Sequence, residues 1–219
     1  YLRMRKYEKA LAYFKKAKNH AQIGLVLCSK HKYKKALEEL KRSNDFTVAA
    51  HAYMGMGQYR KALKLYKRAN DYSGMGLVYL AKKQREAAKE YFKRAKDLSG
   101  LGLVAINEGK FEKAYKYFVQ ERDYEGLGLL SLNMGRYNMA LKYFTQANDL
   151  SGLGKVYFKM GKFDLAKEYF IKANDYDALG DLYFHLRNFD LAYECFLSVG
   201  NKVKAVQSLR EKPDKSEAI

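Results

Sequence analysis

The chain has 219 residues, 48% of them hydrophobic, with 20 tyrosines, one proline and no tryptophan, which allows a real core and long runs of helix. Residues 1–110 carry 26 Lys and Arg against 9 Asp and Glu, whereas residues 111–219 carry 16 against 15, so nearly all of the +18 net charge sits in the first half. That asymmetry concerns partners or solubility and not fold, and the absence of an 18-residue apolar run excludes a membrane-spanning helix.

The opening YLRMRKY is neither a signal peptide nor a starting Met, so the chain is expected to begin inside something longer. Cys28 and Cys195 stand alone, without Cys-x-x-Cys spacing or a partnering histidine. This points to structural thiols in a reducing, intracellular and cytoplasmic setting, and no metal or cofactor is expected.

From Tyr7 onward the sequence repeats. Alanine recurs at Ala10, Ala36, Ala62, Ala88, Ala114, Ala140, Ala166 and Ala192, every step being 26 residues. Four residues after each alanine stands Phe14, Leu40, Tyr66, Phe92, Phe118, Phe144, Phe170 or Phe196. Three before each is an aromatic residue, except at Arg85. In the unit from Tyr59, apolar residues at Tyr59, Ala62, Leu63, Leu65, Tyr66 and Ala69 describe one broad helical face. Asn70 tolerates the left-handed turn that ends this helix, and Asp71 caps the next. The same pair recurs at Asn44-Asp45, Asn148-Asp149 and Asn174-Asp175. A second helix, YSGMGLVYLAK, follows. Recurrent glycines at Gly57, Gly109, Gly135 and Gly161 supply the positive φ of its C-terminal cap.

Paired glycines at Gly74/Gly76, Gly100/Gly102, Gly126/Gly128 and Gly152/Gly154 fall inside this second helix. In DLSGLGKVY, from Asp149 to Tyr157, they resemble the start of a phosphate loop. Val156 follows Lys155, however, no strand precedes, and the feature recurs in phase. The expectation is close helix packing, with the recurrent alanine as the counterpart of the missing side chain. After Val199-Gly200-Asn201 the last helix, KVKAVQSLR, loses the glycines and reads as a more polar terminal cap, stopped by Pro213.

The pattern resembles the tetratricopeptide repeat. Met75-Gly76, Tyr79, Ala88, Phe92 and Ala95 match that family in spacing, as do Leu153-Gly154, Tyr157, Gly161, Phe163, Ala166, Phe170 and Ala173. The period of 26 is shorter than the family's about 34, with the difference falling between the last alanine and the next Leu-Gly. The resemblance implies an all-α, right-handed superhelical solenoid of about seven and a half antiparallel hairpins. It is expected over residues 1–200, in units starting at 7, 33, 59, 85, 111, 137, 163 and 189. A capping helix over 201–212 and a tail over 213–219 follow.

Two surfaces are candidate binding sites. In the family the residue after the Leu-Gly glycine often points into a groove; here that row includes His51, Leu77, Leu103, Leu129 and Lys155, with Phe158 and Phe184 from the row three residues on. This inner channel either grips an apolar segment or fills the superhelix axis. The other candidate is a ladder of Lys15, Lys41, Lys67 and Lys93, each beside Lys16, Arg42, Arg68 or Arg94. It suits another protein or peptide, an acidic one in particular, or a nucleic-acid backbone, or serves as a solvated face. In later units the first row becomes Val119, Thr145, Ile171 and Leu197. His20, His31, His51 and His185 fall at unrelated repeat positions and no catalytic grouping assembles, so a non-catalytic scaffold is expected.

Overall fold

A computed structural model describes residues 7–212. The expected start of the chain and the tail after Pro213 lie outside them. Among the described residues there are sixteen α-helices and no strand. The odd-numbered helices are α1 (Tyr7–Lys16), α3 (Tyr33–Leu40), α5 (Tyr59–Arg68), α7 (Arg85–Ala95), α9 (Phe111–Glu121), α11 (Tyr137–Ala147), α13 (Phe163–Ala173) and α15 (Phe189–Val199). The even-numbered ones are α2 (His20–Ser29), α4 (Phe46–Gly55), α6 (Tyr72–Ala81), α8 (Leu98–Asn107), α10 (Tyr124–Asn133), α12 (Leu150–Lys159), α14 (Tyr176–His185) and α16 (Lys202–Arg210). Successive helices pack as hairpins into a solenoid, each even-numbered helix most extensively against the odd-numbered helix that follows it.

One left-handed residue reverses the chain at most connections. After the odd-numbered helices it is Lys18, Asn70, Lys96, Arg122, Asn148, Asn174 or Gly200; after the even-numbered ones it is His31, Gly57, Lys83, Gly109, Gly135, Gly161 or Arg187. The expected Asn70, Asn148, Asn174 and glycines are in place, whereas Asn44 is not left-handed, because α3 already stops at Leu40. The lysines, arginines and histidine hold the same conformation with a Cβ that disfavours it by roughly 1 kcal/mol. Aspartates cap the even-numbered helices: Asp45, Asp71, Asp97, Asp123 and Asp175 each accept the backbone N–H three residues on, at 2.7–3.0 Å.

The glycine pairs close the core in a way the sequence reading does not anticipate. A Cβ on Gly76 would lie 2.6 Å from the Phe92 ring, and one on Gly100 would lie 2.2 Å from the same ring. Phe118 is held likewise between Gly102 and Gly126, and Phe144 between Gly128 and Gly152. The counterpart of each glycine is therefore the ring of an odd-numbered helix, and not the recurrent alanine. The ring lies against two successive even-numbered helices and ties one unit to the next. The alanines, Ala10 to Ala192, are fully buried, as are Tyr66, Phe92 and Phe118. Each buried ring contributes roughly 1.5–3 kcal/mol.

The solenoid coils back onto itself. His31, Tyr33 and Tyr59 line one cavity together with Asp175, Asn201 and Lys204, and Met56 Cε lies 3.8 Å from a Cβ position on Gly200. The ends of α2 and α4 thus meet the starts of α14 and α16. The final helix is more polar than the other even-numbered ones, as expected of a cap, but it also leaves apolar side chains uncovered. Val203, Val206 and Leu209 are exposed, with Val206 at the register where other units carry the glycine that receives the next ring.

Candidate functional site: a basic rim and an inner channel

The last turns of α1, α5 and α7 carry Lys15-Lys16, Lys67-Arg68 and Lys93-Arg94. In α3 the helix stops at Leu40, so Lys41 is its C-cap and Arg42 lies in the turn. All eight side chains are exposed. They share one rim of the solenoid, where odd-numbered helices end and even-numbered helices begin. Cations there also offset the negative end of the helix dipole, a local stabilisation of roughly 0.3–1 kcal/mol.

The charges on this rim are largely unpaired, Lys15 acting on Glu8 only at a distance. Among the described residues none of the eight takes part in an ion pair. Some lysines elsewhere are matched: Lys30 with Glu8, Lys110 with Glu108, Lys204 with Asp177 and Asp181, and Lys212 with Asp190. The self-contact of the coil uses the opposite rim of the first units, leaving the basic rim uncovered. Two arginines are fixed in place. Arg68 Cζ lies 4.1 Å from the Phe46 ring centroid, and Arg94 Cζ lies 4.3 Å from that of Tyr72. The sequence reading missed this pairing, although an aromatic residue 22 positions before each arginine signals it.

The inner channel is built differently. Leu77, Leu103 and Leu129 are half-buried and pack against the core clusters of their neighbours. Phe158 lies 5.9 Å from Phe163 and 5.2 Å from His185, and Phe184 lies 5.4 Å from Phe189. These rings are engaged in packing. Lys155 is exposed and joins Leu103 and Leu129 around a depression that also holds Asp123, Glu125 and Asp149. His51 has an exposed edge, but its ring meets Tyr66 edge-on at 5.5 Å. Loss of water on that side lowers its proton affinity, with Asp71 and Asp45 opposing. The channel therefore carries mixed charge over a packed floor.

Among the described residues no group of His, Cys, Asp and Glu could hold a metal ion, and no helix is long and apolar enough to cross a membrane. Burial pushes the Cys28 thiol up to about 12 and that of Cys195 up to about 11, the latter helped by Glu194. Both thiols are free.

A family model described as tetratricopeptide repeat matches residues 46–74, 72–100, 124–152 and 150–178, together half of the chain. Each match begins at the first residue of an even-numbered helix: α4, α6, α10 or α12. The chain belongs to the tetratricopeptide repeat family. No curated protein matches it. Tetratricopeptide repeats generally mediate protein–protein interaction, and the all-helical scaffold is typically non-catalytic.

Proposed function

We propose that this chain is a non-catalytic interaction scaffold that holds an acidic segment of a partner protein on its basic rim. One observation carries the reading: Lys15, Lys16, Lys41, Arg42, Lys67, Arg68, Lys93 and Arg94 are exposed together on one rim of the first four units, and among the described residues none of them is in an ion pair. Bringing carboxylates to that rim relieves repulsion among its cations, and the encounter is accelerated by the same field. The rim is favoured over the inner channel because Leu77, Leu103, Leu129, Phe158 and Phe184 are drawn into packing between units. The two free thiols suit a reducing, intracellular compartment.

The test compares three labelled ligands of similar charge, an acidic peptide, a single-stranded RNA and a DNA duplex, from about 50 to 300 mM salt. The acidic peptide is expected to bind best and to remain bound near 150 mM. Nucleic acid that binds more tightly and survives that salt assigns the rim to phosphate backbones. Loss of all three ligands by 150 mM makes the rim a solvated face.

A further inference from the structure

We propose that Arg68 and Arg94, and not the lysines beside them, are the specificity-determining residues of the rim, each taking one carboxylate of an acidic protein segment side-on. This rests on the reading of the rim given above. Arg68 and Arg94 stand at the same register one unit apart, and each guanidinium covers an aromatic residue that opens the preceding even-numbered helix, Phe46 or Tyr72. A cation this close to a ring face is attracted by the ring's quadrupole. The face against the ring loses water and rotational freedom, while both arginines remain exposed residues. A planar fork held this way matches the two oxygens of a carboxylate and gives up little further freedom on binding.

Lys67 and Lys93 have neither feature: an ammonium is a flexible point charge, and neither is placed against a ring. Arg42 occupies the same register one unit earlier, but the residue there is His20, whose Nδ1 lies 2.8 Å from Glu39 Oε2. The supported pair is thus Arg68 and Arg94. Neighbouring units lie on the order of 10 Å apart. A segment in the polyproline II conformation rises about 3.1 Å per residue with three residues per turn, so acidic side chains three positions apart share a face and fit the pair.

The experiment measures the Kd of the whole chain, by fluorescence anisotropy, for a labelled peptide with Glu at every third residue. Three variants are compared, with helix content checked by circular dichroism: Arg68→Lys with Arg94→Lys, Lys67→Arg with Lys93→Arg, and Phe46→Leu with Tyr72→Leu. Net charge is the same in all of them. The arginine replacement is expected to weaken binding about tenfold, the ring replacement about threefold, and the lysine replacement less than twofold. Equal affinity of the arginine and lysine replacements overturns the proposal. If Lys67, Arg68, Lys93 and Arg94 changed together to Glu then still abolish binding, the rim reading survives alone. If that reversal has no effect, the rim reading falls as well. A single-stranded oligonucleotide that displaces the peptide at equal concentration overturns the carboxylate assignment.

Discussion

Tyr66 occupies the register held by phenylalanine in six of the other units, and its hydroxyl is buried without a hydrogen-bond partner among the described residues. Burial, with Asp71 and Cys28 adding to it, pushes the phenol up, so the group stays protonated and cannot escape by ionising. An unsatisfied buried donor costs roughly 1–3 kcal/mol, and Phe92, Phe118 and Phe144 show that the bare ring fits between the helices. Tyr66→Phe is therefore expected to raise stability by about 1 kcal/mol, or Tm by roughly 2–4 °C, in a thermal melt. A fall in Tm would mean that the hydroxyl has a partner. The two cysteines permit a second check. With thiol values of about 12 and about 11, Cys28 and Cys195 hold almost no thiolate at pH 8. Their alkylation at that pH is expected to run on the order of a hundredfold slower in the native protein than in denaturant. Similar rates in both would show that the thiols are accessible and ordinary.

At the scale of the helix, most of the architecture was legible. The 26-residue period, the capping aspartates and the left-handed asparagines and glycines are each set by local chemistry acting within a few residues, and the helices begin where that chemistry places them. Contacts between helices were not legible to the same degree. Periodicity shows that Gly76 and Gly100 need a close neighbour but not which one, because Phe92 and Ala88 recur with equal regularity. Only the geometry assigns the ring. Likewise nothing marks Lys83 or Arg187 as left-handed except their alignment with Gly57 and Gly109. Adding a methyl group at Gly102, 2.6 Å from the Phe118 ring, forces that ring to move while it is also held by Gly126. Gly102→Ala is expected to destabilise by about 1–3 kcal/mol in denaturant unfolding, although alanine is the better helix former. A gain in stability would mean that the rings do not lock the units together.

For the whole molecule, the return of the coil onto itself was beyond the sequence reading. Small rotations between units accumulate over many helices, and no single residue encodes their sum. The contact it creates brings His31 and Tyr33 near Asp175, a buried residue on the far side of the coil. Burial alone would raise the Asp175 carboxyl, but hydrogen bonds from Ser151 and the Ala178 N–H, with the charges of His31 and Lys155, outweigh it and hold the group below its ordinary value. A depressed carboxylate stabilises the fold above the usual carboxylate range. That stability is lost as pH falls from that range through the lowered native value. Tm is therefore expected to fall on acidification below about pH 4, and Asp175→Asn should flatten this dependence while lowering Tm at pH 7. An unchanged acid profile in the variant would remove Asp175 from the account.

The charge split belongs to this scale too, and there the sequence spoke clearly. The excess of cations lies in the first 110 residues, and eight of them line one rim of the fold with no ion pair among the described residues. The measurement that tests this most directly is the affinity of an acidic peptide at about 150 mM salt for the native chain and for the variant with Lys67, Arg68, Lys93 and Arg94 changed to Glu. The rim account predicts clear binding to the native chain and at least a tenfold loss in the variant, with helix content unchanged. Equal affinity in the two proteins would contradict it and move the search for a partner to the inner channel.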